Sequence, residues 1–175
     1  NDELLDLNMK GVVFSVQVNL ASELTPTGQS DVEFMIQASK KDEPRPMAKV
    51  ASGGELSRIL LSLKRVVGSS DRPRTYLFDE VDTGVSGQTA EKVGRKLKAI
   101  SKGQQLICVT HLPQVASFAD QHFLIEKGSA KGAARMTVTE LAKDERVKEI
   151  ARLISGEKIS QTSMEHARQL LAESH

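Results

Sequence analysis

The chain has 175 residues, of which 39% are hydrophobic and 27% are charged, and its formal net charge is only +1. This composition is ordinary for one globular domain or a large fragment of one, and gives no general electrostatic reason to bind nucleic acid. No apolar stretch approaches the roughly 20 residues that a membrane-spanning helix needs, and the first residues do not resemble a secretory leader. The chain starts inside a polar, leucine-containing segment, so we expect it to belong to a longer protein.

The single cysteine, Cys108, excludes an internal disulfide bond and fits a reducing cytosol. Because it lies in an apolar run, we expect a small buried hydrophobic residue rather than a reactive thiol. The densest basic patch is interpreted as the solvated face of a helix; it consists of Lys92, Arg95, Lys96 and Lys98. Aromatic residues make up only 3% of the chain, which disfavours a base-stacking surface for single strands.

Two strands are predicted near the start of the chain, over residues 12–20 and 31–38, because apolar and polar residues alternate there. Pro26 and Gly28 predict a turn between them, so we expect an antiparallel pair. Residues 1–10 resemble the tail of a helix. The proline-containing stretch that follows the second strand is predicted to be a loop.

The period then changes to that of a helix, from Gly53 to Val67. Its predicted apolar stripe consists of Leu56, Ile59, Leu60, Leu63 and Val67. Further along, Thr75 to Phe78 and Leu106 to Val109 are predicted as buried strands on either side of a second helix. This order suggests a parallel pair with a right-handed crossover. The remaining predicted elements are a hairpin of Phe123 to Glu126 with Met136 to Glu140, and closing helices at about 144–155 and 160–172.

Ser52 to Glu55 precede the first long helix and form a predicted capping box, with Ser52 as the N-cap and Glu55 three residues later. A capping box does not explain Gly53 and Gly54, each of which weakens a helix by about 1 kcal/mol relative to alanine. Bare backbone amides at a helix N-terminus are suited to a phosphate, so the segment is a candidate anion site.

Polar side chains follow both buried strands. Asp79 and Glu80 come directly after the first strand, and His111 follows the second. Ligands of open α/β sheets bind at the carboxyl ends of the strands, so we expect these side chains to meet at one edge. One acid is suited to hold Mg²⁺ through water, the other to activate a water molecule, and the histidine to contact a terminal phosphate. His122 and His166 have no such position and are interpreted as ordinary residues.

These segments together resemble the ABC-type ATPases, which carry a Ser-Gly-Gly-Glu signature before a helix, an apolar strand ending in Asp-Glu and a strand ending in His. The similarity is greatest to the SMC-like branch, and in it to ATPases of bacterial DNA double-strand-break repair. It extends through the closing helices and rests on three runs of residues, Lys49 to Arg58, Phe78 to Gly87 and Val109 to Ala116.

The resemblance implies a role for each matching residue. The signature, which would reach the γ-phosphate of an ATP bound by a second head, consists of Ser52, Gly53, Gly54 and Glu55. Asp79 would serve Mg²⁺, Glu80 would be the general base for water, and His111 the switch histidine. The D-loop at the dimer interface would consist of Asp82, Thr83, Gly84, Val85 and Ser86. Ser86 stands where transporter-type D-loops carry aspartate, so hydrogen bonding there should be weaker.

The fold implied is α/β, the C-terminal lobe of an ATPase head, with parallel strands and flanking helices plus an N-terminal antiparallel pair and a late hairpin. Residues 1–10 would end a coiled coil and 11–175 would belong to the head. The sequence contains no G-x-x-x-x-G-K-[ST] phosphate loop. In this family that loop, the Walker A motif, lies in the N-terminal half, so the 175 residues alone are expected not to turn over ATP.

The function implied is ATP hydrolysis between two heads that drives the holding or tethering of DNA ends during repair. ATP and Mg²⁺ would be the cofactors. The partners would be the Walker A half, a second identical head and DNA, in the bacterial cytoplasm and nucleoid and without a membrane. Two alternatives stay open: the nucleotide-binding domain of a transporter, and a head that dimerises without hydrolysis.

Overall fold

The computed structural model describes residues 1–39, 41–49, 52–68, 72–130 and 133–174. The strands are β1 Val13–Thr25, β2 Gly28–Gln37, β3 Arg45–Pro46, β4 Thr75–Phe78, β5 Gln105–Cys108, β6 Phe123–Ala130 and β7 Ala133–Glu140. The α-helices are α1 Asp2–Asp6, α2 Gly53–Val67, α3 Gly87–Ile100, α4 Pro113–Ala116, α5 Lys143–Ser155 and α6 Gln161–Glu173. The mixture of antiparallel and parallel sheets with flanking helices confirms the predicted fold class.

The first sheet contains β1, β2 and β3 in that order, and the predicted antiparallel pairing of its two long strands is confirmed. Phe14 lies opposite Ile36, and Val16 lies opposite Phe34. The prediction of a loop after β2 is wrong for β3, which pairs with β2 through two residues. A proline is tolerated there because the strand lies at the edge of the sheet, where its missing N–H is not needed.

The second sheet positions the candidate site. Its strands, β4 and β5, are parallel, as predicted, and pair from Thr75 opposite Gln105 to Phe78 opposite Cys108. The prediction that both strands are buried is wrong, because one face of each is exposed. The helix α3 connects the two strands, and its buried residues include Ala90, Val93 and Leu97. The largest buried cluster lies between this helix, α2 and the sheet; it consists of Leu7, Leu61, Phe78, Val81, Ala90, Val93, Leu97 and Val115.

The predicted apolar stripe of α2 is wrong in part. Ile59 is buried, but Leu60 and Val67 are exposed, while Arg58 and Leu61 are buried instead. The reason is that α2 packs on two sides. Ile59 belongs to a cluster with Leu4, Met9 and Ile36, whereas Leu61 belongs to the cluster around the parallel sheet. A helix that is covered on two sides does not follow a single-stripe pattern.

The C-terminal part contains the predicted hairpin, β6 with β7, followed by the two predicted helices. The helices α5 and α6 pack against each other and against α4 through Ala116, Ile150, Ala151 and Ala167. Ser160 caps α6 by accepting a hydrogen bond from the Ser163 amide at 3.1 Å. None of the helices in the described ranges has both the length and the apolar character to cross a bilayer.

Each of the three sheets leaves one apolar face exposed. On β1 and β2 the exposed residues continue outward from the partly buried Phe14 and the buried Ile36; they are Val16, Val18, Leu20, Val32 and Phe34. On the parallel sheet they are Leu77, Ile107 and Val109, and on the hairpin they are Phe123, Ile125, Met136 and Val138. Parallel sheets are ordinarily covered on both faces, so the bare face of β4 and β5 is unusual.

Candidate functional site

The candidate site lies at the carboxyl ends of β4 and β5. The amide of Val109 donates to the carbonyl of Phe78 at 2.9 Å, which keeps the two strand exits side by side. Asp79 and Glu80 leave β4 at this point, and Thr110 leaves β5 just before the histidine. The structure therefore brings the two predicted acids and the predicted histidine to one edge of the sheet.

Asp79 and Glu80 both expose their side chains, as a role toward a ligand requires. The backbone of Glu80 is left-handed, with φ of 57°, a conformation that non-glycine residues rarely adopt. The carbonyl of Asp79 accepts a hydrogen bond from the Ser57 hydroxyl at 2.8 Å. This contact ties the exit of β4 to the second turn of α2.

The first turn of α2 packs directly on the turn after β4. Ser52 is the N-cap, and its hydroxyl accepts from the Glu55 amide at 3.4 Å, which is one half of the predicted capping box. A Cβ at position 54 would lie 2.9 Å from Thr83 Cβ and 3.0 Å from the Glu80 carbonyl oxygen. A Cβ at position 53 would collide with the Glu80 carboxylate.

These contacts differ from the expectation that both glycines serve only to leave backbone amides accessible to a phosphate. Gly54 is buried, and the absence of a side chain there allows the helix and the turn after β4 to approach closely. The exposed members of the signature are Ser52, Gly53 and Glu55. Of the adjoining residues in the resembling motif, Val50 and Ala51 lie outside the described residues.

Arg58 is a functional candidate that the sequence pattern did not reveal. It is only 8% exposed, and its Nη1 donates to the Thr83 carbonyl at 2.5 Å. Burial lowers the pKa of its guanidinium, although the carboxylates of Glu55 and Asp82 act in the opposite direction. Arg58 lies off the predicted apolar stripe of α2, where a charged side chain is ordinarily solvated. Instead, its side chain is bonded to the turn that follows β4.

Asp82 is the buried acid of the site, with 3% of its surface exposed. Its Oδ2 accepts hydrogen bonds from the Thr110 hydroxyl and, at 3.2 Å, from the His111 amide. The same oxygen lies 3.5 Å from Nδ1 of His111, whose side chain is 74% exposed. The structure thus directs the carboxylate of Asp82 to the strand exit that carries the histidine, away from solvent.

The other residues of the expected D-loop form a turn beside the acids. The Thr83 amide donates to the Glu80 carbonyl at 3.0 Å, and the Val85 amide to the Asp82 carbonyl at 3.3 Å. Val85 packs against the core, while Thr83, Gly84 and Ser86 are exposed. The exposed part of the turn is therefore available to another chain.

Cys108 lies directly before this edge, at the end of β5. Burial raises the pKa of its thiol to about 12, and the carboxylates of Asp82 and Asp79 add to the effect. A thiol with so little thiolate is unreactive, which agrees with the buried hydrophobic residue expected from the sequence.

The donor set at this edge fits Mg²⁺ bound in part by a nucleotide. No group of three or more His, Cys, Asp or Glu side chains able to hold a metal occurs in the described part of the chain. Mg²⁺ at nucleotide sites uses one or two carboxylates together with substrate phosphates and water. A single exposed carboxylate such as Asp79 matches that mode, and an all-protein metal cage does not.

Known proteins resemble the chain over almost its whole length. No protein-family model matches it. It is 40% identical over 175 residues to DNA repair protein RecN of Halalkalibacterium halodurans, covering 98% of the chain and 31% of the relative. The corresponding values for DNA repair protein RecN of Treponema pallidum are 41% identity over 171 residues, 94% and 30%. The chain therefore spans less than a third of the length of these relatives.

Solved structures of SMC head domains have a fold similar to that of the chain. The chain superposes on the Smc head domain with a coiled coil and joint from Pyrococcus yayanosii with a TM-score of 0.55 and 19% identity, covering 90% of this chain and 28% of that one. For the Smc head domain with an extended coiled coil from Pyrococcus furiosus the values are 0.52, 18%, 88% and 36%. The chain is therefore similar, over nearly all of its own length, to a segment of RecN proteins, and it has the fold of an SMC head domain.

Proposed function

We propose that the chain is the part of a RecN-type ATPase that activates water and senses phosphate, and that the whole protein hydrolyses ATP in DNA double-strand-break repair. The observation that carries the proposal is the meeting of Asp79, Glu80 and His111 at one sheet edge, in a chain similar to RecN. The similarity to repair proteins also favours this function over the nucleotide-binding domain of a transporter.

Each side chain at the edge has a distinct task in this proposal. Glu80 is exposed and held by a constrained turn, so it is suited to accept a proton from the attacking water. His111 is exposed at the same sheet edge, and its ring would contact the terminal phosphate. Asp79 would hold Mg²⁺, which supplies charge neutralisation of the phosphates when bound.

The signature would act on a nucleotide held by a second copy of the protein. Ser52 and Gly53 are exposed at the N-terminus of a helix of 15 residues, where the helix dipole and free amides favour an anion. The exposed residues Thr83, Gly84 and Ser86 would meet the same partner. ATP would then join two heads, and hydrolysis would release them.

The remaining parts of the machine would come from the rest of the protein. The Walker A half would cover apolar sheet faces, above all the bare face of Leu77, Ile107 and Val109. Residues 1–10 would continue a coiled coil. Cycles of head closure would drive the holding of DNA ends on the bacterial nucleoid.

Replacing the general base tests the proposal in the full-length protein. Glu80→Gln is expected to slow ATP hydrolysis by about 10²–10⁴-fold, the range for losing a general base, with ATP binding retained. The measurement is steady-state phosphate release together with nucleotide binding by fluorescence. The control is Glu43→Gln, which removes an exposed carboxylate distant from Glu80 in the sequence. It should keep the wild-type rate of ATP hydrolysis.

An unchanged rate for Glu80→Gln would contradict the assignment of the base. If the wild-type protein itself binds ATP and forms dimers but releases no phosphate, the non-hydrolysing head is the correct alternative.

A further inference from the structure

We propose that Asp82 is a positioning residue that fixes the orientation and the tautomer of His111. The inference rests on the proposed function, because it concerns the histidine of the same site. It differs from the role expected for Asp82 as part of a loop that faces another subunit.

The contacts converge on one oxygen. Oδ2 of Asp82 accepts hydrogen bonds from the Thr110 hydroxyl and the His111 amide. The same oxygen lies 3.5 Å from Nδ1 of the His111 ring. The Leu112 amide in turn donates to the Thr110 hydroxyl oxygen at 3.1 Å. Asp82 therefore binds the backbone of the histidine and the side chain of the residue before it, and its carboxylate lies close to the ring.

This geometry sets which ring nitrogen carries the proton. A neutral imidazole has one N–H, and the partner of one nitrogen decides the state of the other. The carboxylate near Nδ1 favours a proton on that nitrogen. In the Nδ1–H tautomer Nε2 is a hydrogen-bond acceptor, and it donates to a phosphate only when the ring carries both protons. The ring belongs to a side chain that is 74% exposed, so Nε2 is accessible to a ligand.

The turn that carries Asp82 is itself fixed from α2. Arg58 donates to the carbonyl of Thr83, and Gly54 packs against the same turn. The carboxylate is consequently held between two elements, the signature helix on one side and the exit of β5 on the other. A side chain held in this way can orient a histidine that is itself largely exposed.

The first experiment reads the tautomer directly. The full-length protein is labelled with ¹⁵N-histidine, and the ring nitrogen shifts of His111 are recorded at alkaline pH, where an imidazole is neutral. The wild-type chain is expected to show mainly the Nδ1–H tautomer, and Asp82→Asn is expected to lose this preference, since the amide can donate to Nδ1. A wild-type ring that is mainly Nε2–H overturns the proposal without any variant.

The second experiment is a double-mutant cycle in the full-length protein. Asp82→Asn is expected to lower kcat for ATP hydrolysis by about 10- to 100-fold, the range for carboxylates that orient histidines at metal sites, with KM changed less than about twofold. His111→Gln should lower kcat at least as much. The double variant should be no slower than His111→Gln alone, because Asp82 acts through the histidine.

Glu149→Gln is the matched control, because it also removes a buried carboxylate but one that pairs with Arg152 on α5. It is expected to lower thermal stability and leave kcat unchanged. Additive losses of kcat in the double variant, or an equal loss of kcat in Glu149→Gln, would show that Asp82 has only a structural role. A wild-type protein without ATPase activity would refute the proposed function instead, while the tautomer measurement would still test the orientation.

Discussion

His122 shows how burial changes a side chain that the candidate site does not use. Desolvation lowers the pKa of its imidazole below the ordinary value of 6.5, and the nearby Arg146 guanidinium adds to this effect. Within the described part of the chain its Nδ1 is buried without a hydrogen-bond partner. The ring therefore stays neutral in the folded protein at a pH where the unfolded chain already binds a proton.

The consequence is a loss of stability in acid. Below about pH 6.5 the unfolded state binds more protons than the folded state, so the free energy of unfolding falls as the pH falls. His122→Gln is expected to reduce this loss between about pH 7.5 and 5.5, measured by urea unfolding. His166→Gln, which removes an exposed imidazole from α6, is the control. An equal acid sensitivity in wild type and His122→Gln would exclude the histidine as its cause.

Sequence reasoning identified the residues at the site better than their partners. Asp79, Glu80 and His111 were found because acids and a histidine that follow buried strands must emerge at a common edge. Arg58 was missed, because a charged residue off an apolar stripe is ordinarily solvated. The contact of Asp82 with His111 joins the segments that follow two strands, and it depends on a backbone turn that no local pattern encodes.

Among the elements, α2 is the one whose first turn combines packing and chemistry. The two glycines there have different surroundings. Alanine at position 53 would meet only the end of the Glu80 side chain, which can move, whereas alanine at position 54 would meet the Glu80 carbonyl and the Thr83 side chain. The cost of a methyl group therefore depends on which glycine receives it.

Paired substitutions test this difference. Gly54→Ala is expected to lower the free energy of unfolding by about 1–3 kcal/mol, since it overpacks the contact with the turn after β4. Gly53→Ala is expected to be neutral or to gain up to about 1 kcal/mol from helix propensity. Denaturant unfolding of both variants supplies the comparison, and equal costs at the two positions would contradict the packing described for α2.

The types and the order of most elements were predictable because the hydrophobic period changes clearly between two and 3.6 residues along the chain. The antiparallel strands β1, β2, β6 and β7 extend beyond their predicted bounds. The long helices and the parallel strands follow that signal closely. The short strand β3 and the short helix α4 were not predicted, since two and four residues respectively are too few to show a period. The burial of Leu61 and Arg58 in α2 depends on which elements pack on it, which is a tertiary property.

At the scale of the molecule, the described residues form three sheets, each with one uncovered apolar face. Leu77, on the parallel sheet, is 68% exposed in the 175-residue chain, although neighbouring residues of β4 are buried on the opposite face. The relatives are more than three times as long as the segment that matches, because the chain covers 31% of the first and 30% of the second. Their additional length is the natural source of a cover for these faces.

Leu77→Glu tests that expectation. In the 175-residue chain the substitution should change the melting temperature little, because the side chain is already exposed. In the full-length protein it should lower the melting temperature and the soluble yield, since it would bury a charge at the interface with the Walker A half. Val66→Glu is the matched control, because Val66 is 71% exposed but lies on α2 rather than on a sheet face. Equal effects of both variants in the longer protein would remove the case for a cover at this sheet.

At Glu80 the left-handed backbone places the stability of the fold and the proposed catalytic role in conflict. Glycine or asparagine would occupy this conformation at lower energy than glutamate, so a chain selected for thermostability alone would drift toward them and lose its proposed base. Glu80 should therefore be excluded from mutagenesis when such a protein is stabilised by screening for a higher melting temperature. The strained backbone at a glutamate is consistent with the proposed role of Glu80 as the base.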